Sequence, residues 1–190
     1  MCKIAAVATQ VVLDMQLPDD AVGPPTPIPE AVPETGITWD HIASGTCSIA
    51  RTLELVGERW TLLVIRDVRQ GIRRFDDLQR HLGVARNVLS QRLSGLVAIG
   101  LLDKVAYREP GKRQRHEYRL TERGENLMPI LLALMDWGDR YLAGDDGAPL
   151  LAEHAECGAG LRLVPVCGRG HIVSAADAIT WRPGPGARPD

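Results

Sequence analysis

Between positions 84 and 98 stands a run of amide and hydroxyl side chains, Asn87, Ser90, Gln91 and Ser94, set among leucines. Placed on a helix at about 100° per residue with Leu89 at 0°, Leu93, Leu96 and Val97 fall within about 80° of it and make an apolar face. Asn87, Gln91 and Ser94 then point the opposite way, with Ser90 at the edge. Amide side chains suit the edge of adenine in a major groove, and small hydroxyls suit either base. Arg86 precedes this face and Arg92 flanks it, both fitted to phosphate or guanine. Directly downstream comes Arg108-Glu109-Pro110-Gly111-Lys112-Arg113-Gln114-Arg115-His116. Pro-Gly supplies a turn, and Lys112, Arg113 and Arg115 are cations with no apolar neighbour, as phosphate or minor-groove contact requires. Arg73 and Arg74 stand where a third helix begins and can clamp a phosphate with that helix's N-terminus. The plain alternative for each feature is a solvated polar face; a helix-turn unit followed by a basic hairpin weighs against it.

A second set of reactive side chains lies near the C-terminus. His154-x2-Cys157-x9-Cys167-x3-His171 places four zinc-type donors within eighteen residues. Zinc is the one cofactor the chain has donors for, and nothing in the sequence requires it. The alternative is a small β-hairpin unit with no metal.

The elements that must position these groups follow from periodicity. Ile49, Leu53 and Val56 recur at helical spacing and Gly57 ends the run; Trp60, Leu63, Val64 and Val68 form a second stripe closed by Gly71. Phe75, Leu78 and Leu82 give a short third helix stopped by Gly83, and the helix of the amide face ends at Gly100. Strands are expected at Leu102–Arg108 and Glu117–Leu120. A long helix begins at Thr121, with Leu127, Ile130, Leu131, Leu134 and Tyr141 on its apolar side. Pro129 implies a kink or a late start. A second stripe of Met128, Leu132 and Met135 is more than one small domain can bury. The fold class is mainly α with a small β-wing: a winged helix-turn-helix over 47–142, dimerising through flanking helices, with a flexible proline-rich arm over 1–46 and a C-terminal extension over 143–190.

The net charge of -2 conceals a strong asymmetry. Residues 1–46 carry a net of -5, residues 47–120 a net of +7 and residues 121–190 a net of -4. A localised positive field attracts polyanions whatever the flanks carry. No stretch is long and apolar enough for a membrane span, no export signal is read at the start, and the 4 cysteines do not form a secreted disulfide scaffold. The cytoplasm is the expected compartment. There is no nucleophile-plus-base pattern, no phosphate-binding glycine loop and no HExxH, so an enzyme is not expected.

Several segments together are similar to the HxlR-type regulators, a branch of the MarR-like winged-helix proteins. They are Cys47, Gly57-Glu58-Arg59-Trp60-Thr61, Arg74-Phe75-Asp76-Asp77-Leu78, Leu89-Ser90-Gln91-Arg92-Leu93, Gly100-Leu101 and Tyr118-Arg119-Leu120-Thr121-Glu122-Arg123-Gly124. The resemblance spans about half of the 190 residues. It implies a bacterial homodimer that binds double-stranded DNA as a repressor or activator. Some members of that family sense oxidants or electrophiles through a cysteine at the position of Cys47, so a redox or small-molecule effector is a second expectation, behind the plainer reading of Cys47 as a structural, unreactive thiol. Related C-terminal extensions often carry a CxxC pair like a zinc ribbon; here Gly170 stands in the second cysteine position.

Overall fold

A computed structural model describes residues 44–187 apart from 109, 112, 175, 176 and 178. The proline-rich arm falls almost wholly outside the described residues, as does Lys112. After a short 3-10 turn at Ser44–Thr46, the elements are α1 (Ser48–Val56), α2 (Arg59–Arg69), α3 (Phe75–Leu82), α4 (Arg86–Ala98), β1 (Leu102–Tyr107), β2 (Arg115–Leu120), α5 (Glu122–Glu125) and α6 (Met128–Tyr141).

The core gathers one face from each central element. Val64, Ile65 and Val68 of α2, Leu78 of α3, Leu89, Leu93 and Leu96 of α4, and Leu102 of β1 are all essentially closed to solvent. Each such side chain contributes about 1.5–3 kcal/mol from burial, which fixes α3 and α4 against α2. Val84 sits in the turn between them and is buried as well. That turn depends on Gly83, whose φ of 63° closes α3 in the left-handed region, where a Cβ is strained.

Two polar contacts set the helices' relative positions. Asp67, 1% exposed within α2, receives Arg66 at 2.8 Å and lies 2.6 Å from Nδ1 of His81 at the end of α3. A buried carboxylate needs such partners to offset its desolvation. Arg92 of α4 pairs with Glu58, the residue that caps α2.

The wing is a two-stranded antiparallel sheet, paired from Leu102↔Leu120 to Tyr107↔Arg115. Its second strand begins at Arg115, two residues earlier than the polar sequence suggests. Cross-strand pairing with Tyr107 and Ala106 holds those extra residues, and backbone pairing needs no apolar side chain. Arg74 adds a bridge to Glu117, and the Tyr118 amide donates to the Arg73 carbonyl at 2.8 Å. The entry to α3 is thereby fastened to the wing.

Thr121 caps only the single turn α5, its Oγ1 accepting from the Gly124 amide at 3.1 Å. Thr121 also donates to the Gly100 carbonyl at 2.7 Å, and Arg123 donates to that of Ile99 at 2.8 Å. A Cβ on Gly124 would lie 2.3 Å from the Leu101 carbonyl oxygen, so the close approach admits glycine alone. The expected long helix therefore starts late, at Met128, with Pro129 in its first turn, where the missing N–H costs nothing.

No residue of α6 is buried. Its Leu132 and Met135 face Leu150, Leu151, Leu161 and Leu163 of the C-terminal extension across a cavity of about 180 Å³. That extension consists of loops closed by isolated bridges at Glu153↔Gly160 and Val166↔Ile172. The stripe of Met128, Leu132 and Met135 is thus half-buried, and the chain's own C-terminal segment shields part of it. Apolar side chains left open include Ile130, Leu134, Trp137 and Tyr141 on α6, Ile49, Leu53 and Leu55 on α1, and several along the C-terminal extension, Leu151 and Trp181 among them. Of the apolar run Ile49, Leu53 and Val56, only Val56 is buried, and Ile49 and Leu53 are 61% and 58% exposed; helical spacing identifies an apolar face and not what covers it.

Candidate nucleic-acid interface

α4 presents the face expected of it. Asn87, Ser90, Gln91 and Ser94 are exposed along one side, while Leu89, Leu93 and Leu96 on the other are fully buried. An exposed row of amides and hydroxyls on a helix anchored from behind can enter a groove without disturbing the core.

Arg92 is a correction. It lies about 60° from Leu89 around the helix, nearer the core side than the amide side. Its side chain is only 21% exposed and its Nη2 pairs with Glu58, while its Nε is buried without a hydrogen-bond partner. Arg92 fixes the pose of α4 instead of reaching outward.

Arg86 is exposed at the start of α4, with its guanidinium 4.7 Å above the ring of Phe75 and its Nη1 3.4 Å from Asp76. Arg74 lies 4.7 Å above the ring of Tyr107. Arg73 is exposed and gives its carbonyl to the wing. Arg113 and Arg115 are exposed on the wing. The turn joining the strands is made by Gly111, at a φ of 75°. Between α3, the start of α4 and the wing opens a cleft of about 540 Å³ lined by Arg74, Arg80, Arg86, Lys104 and Arg115. Phe75 and Tyr107 line it too, as do the carboxylates of Asp76 and Asp77.

Sequence reasoning missed Lys104, Tyr107 and Arg80 as parts of this surface. The one available signal was strand register, which sets Tyr107 opposite Arg115 and Lys104 opposite Tyr118. Tyr118 itself anchors the wing; burial raises its phenol above the ordinary value and keeps it neutral.

The C-terminal donors do not assemble. His154 Nδ1 lies 3.3 Å from the Cys157 sulfur, whereas Cys167 and His171 share a separate tight turn closed by Cys167 N–H to the His171 carbonyl at 2.9 Å. Among the described residues no group of three or more His, Cys, Asp or Glu side chains is placed to hold a metal ion. The four-donor zinc set therefore does not fit this arrangement. Its physical reason is local: each turn satisfies its own backbone, and Gly170 supplies no donor. Cys167 is exposed, and its thiol is lowered below the ordinary range by the amides of Arg169 and His171, helped by the charge of Arg169. Cys47 is half-buried at the start of α1, its carbonyl accepting from the Arg51 amide at 3.0 Å.

Helix-turn-helix, wing and outward amide face together define a winged helix-turn-helix DNA-binding transcription regulator. Residues 55–146 match the family model described as HxlR-like helix-turn-helix. The chain is 45% identical over 139 residues to the HTH-type transcriptional regulator Rv3095 of Mycobacterium tuberculosis, covering 73% of this chain and 87% of that one. It is 37% identical over 92 residues to the HTH-type transcriptional regulator YtfH of Escherichia coli, covering 48% of this chain and 71% of YtfH. Among solved structures, PA1607, described as a candidate transcription factor, superposes with a TM-score of 0.63 at 35% identity, covering 72% of this chain and 95% of that one. PA1374 of Pseudomonas aeruginosa, described in the same way, gives 0.52 at 36% identity over 75% and 95%. The chain belongs to the HxlR-like helix-turn-helix family. Its relatives and fold are those of transcriptional regulators, not of enzymes. Among the described residues no helix is long and apolar enough to cross a membrane.

Proposed function

We propose that the protein binds specific double-stranded DNA as a homodimer and regulates transcription from the bound site. α4 enters the major groove, where Asn87, Ser90, Gln91 and Ser94 read base edges. Arg73, Arg74, Arg86, Arg113 and Arg115 hold the backbone. One observation carries the reading: the exposed side of α4 carries Asn87, Ser90, Gln91 and Ser94 and no large apolar side chain, beside a cationic cleft, while its other side is locked into the core. The homodimer is supported by α1 and α6, on which Ile49, Leu53, Leu134, Trp137 and Tyr141 are each more than half exposed. The test is a mobility-shift assay on the intergenic DNA beside the protein's own gene. The reading expects two protomers per site and half-sites about 10 bp apart, one helical turn. Binding that ignores sequence, with no competitor preferred over bulk DNA, contradicts it.

A second reading, in which a thiol modulates DNA affinity, draws support from Cys167. An exposed thiol whose pKa is lowered by the backbone amides of Arg169 and His171 forms its thiolate more readily than an ordinary cysteine. Alkylating the protein with iodoacetamide and repeating the shift assay decides this. Cys167→Ser should bind as well as the wild type and lose any response to alkylation; an unchanged shift in the alkylated wild type removes the reading.

A further inference from the structure

In the cleft beside the wing, each of two arginines rests on an aromatic ring. The Arg74 guanidinium stands 4.7 Å from the Tyr107 ring centroid, and that of Arg86 stands 4.7 Å from Phe75. Both rings are half-buried and both arginines are exposed. Tyr107 comes from the end of β1, opposite Arg115, while Phe75 opens α3. Two different elements thus supply ring faces to one opening of about 540 Å³.

A free arginine side chain loses rotamer freedom when it is fixed. A ring beneath the guanidinium takes up part of that loss before any ligand arrives. With several N–H donors in its fork, an arginine can keep a protein partner and still meet a phosphate. The lining holds five cations, Arg74, Arg80, Arg86, Lys104 and Arg115, against the carboxylates of Asp76 and Asp77. Each carboxylate is already engaged by an arginine of the cleft, Asp76 by Arg86 at 3.4 Å and Asp77 by Arg80 at 3.0 Å. What remains is a positive trough with two pre-set forks, next to the amide face of α4.

We propose that this trough seats the sugar–phosphate backbone of one DNA strand between the recognition helix and the wing. Tyr107 and Phe75 are positioning residues that hold Arg74 and Arg86 ready for successive phosphates. The proposal rests on the DNA-binding reading and adds to it two aromatic residues that touch no DNA themselves.

A double-mutant cycle tests it, with a fluorescein-labelled 30-bp duplex of mixed sequence followed by anisotropy between 50 and 200 mM salt. Tyr107→Leu should weaken binding about three- to fivefold, the worth of an exposed cation–ring contact. Tyr107→Phe keeps the ring and should bind like the wild type. Arg74→Ala should lower the salt slope by about 0.9, one phosphate. In the Arg74→Ala background, Tyr107→Leu should then cost nothing further. Equal losses in both backgrounds would make Tyr107 a wing-stabilising residue and overturn the proposal, as would Tyr107→Phe binding as weakly as Tyr107→Leu. Thermal melts of each variant confirm that the wing is still folded. Wild-type protein that shows no salt-dependent binding to the duplex would instead overturn the DNA-binding reading itself.

Discussion

α4 and α6 are close in length, 13 and 14 residues, and differ in almost everything else. Leu89, Leu93 and Leu96 lock α4 into the core and its exposed side is Asn, Gln, Ser and Arg. α6 has no buried residue, and its exposed side carries Ile130, Leu134, Trp137 and Tyr141. Water solvates the first kind of surface at no cost, so α4 is free to meet a polar, charged ligand. It does not tolerate the second kind as a contiguous patch. In the proposed dimer the open apolar side chains of α6 are half of an interface, to which Ile49 and Leu53 of α1 add. On the function proposed above, the difference separates two tasks: α4 and the wing would address DNA, while α1 and α6 would address a second copy of the chain.

The comparison breaks first at its anchored end. Leu93→Ala, at a fully buried site, should cost about 2–5 kcal/mol, read as a loss of thermal and urea stability. A cost below about 1 kcal/mol would mean that α4 is not the anchored helix described. At the other end, Leu134→Asp with Trp137→Ala should leave the monomer's helical circular dichroism intact. Analytical ultracentrifugation should show the dimer weakened at least tenfold, about 1.4 kcal/mol. A dimer of unchanged strength moves the interface off α6. On the polar side of α4, Gln91→Ala should lose about 1–3 kcal/mol of preference for the cognate site over a mismatched one, with binding to bulk DNA little altered. Smallest is a chemical effect. Because the amides of Arg169 and His171 lower the Cys167 thiol, its thiolate persists to lower pH than that of an ordinary cysteine peptide. Alkylation of Cys167, followed by mass spectrometry, should therefore fall off at a lower pH than alkylation of the peptide, and coincident profiles would contradict this.

Most of the DNA-facing half is legible in the amino-acid sequence. The breaks at Gly57, Gly83 and Gly100 are where the helices end, because a glycine after an apolar stripe readily stops a helix. The amide face of α4 follows from spacing alone. Two things do not. Arg92 reads as a ligand-facing cation because its partner, Glu58, lies 34 positions away and only the packing of α4 on α2 brings them together. The Arg74–Tyr107 pair depends in the same way on where the wing folds back. Tyr107 and Arg74 are distant in sequence and meet where Arg74 bridges to Glu117 of β2. The C-terminal donors show the reverse failure: favourable spacing did not make a shared centre, since each turn closes on its own backbone.

The salt dependence of duplex binding by the wild type and by the Arg113→Ala, Arg115→Ala double variant tests the division of labour most directly. With a mixed-sequence duplex between 50 and 200 mM salt, removing two phosphate contacts should lower the slope of log K against log salt by about 1.8. The dimer constant and the thermal melt should stay unchanged. An unaltered slope would take the wing out of the interface and contradict the assignment of DNA to this half of the molecule.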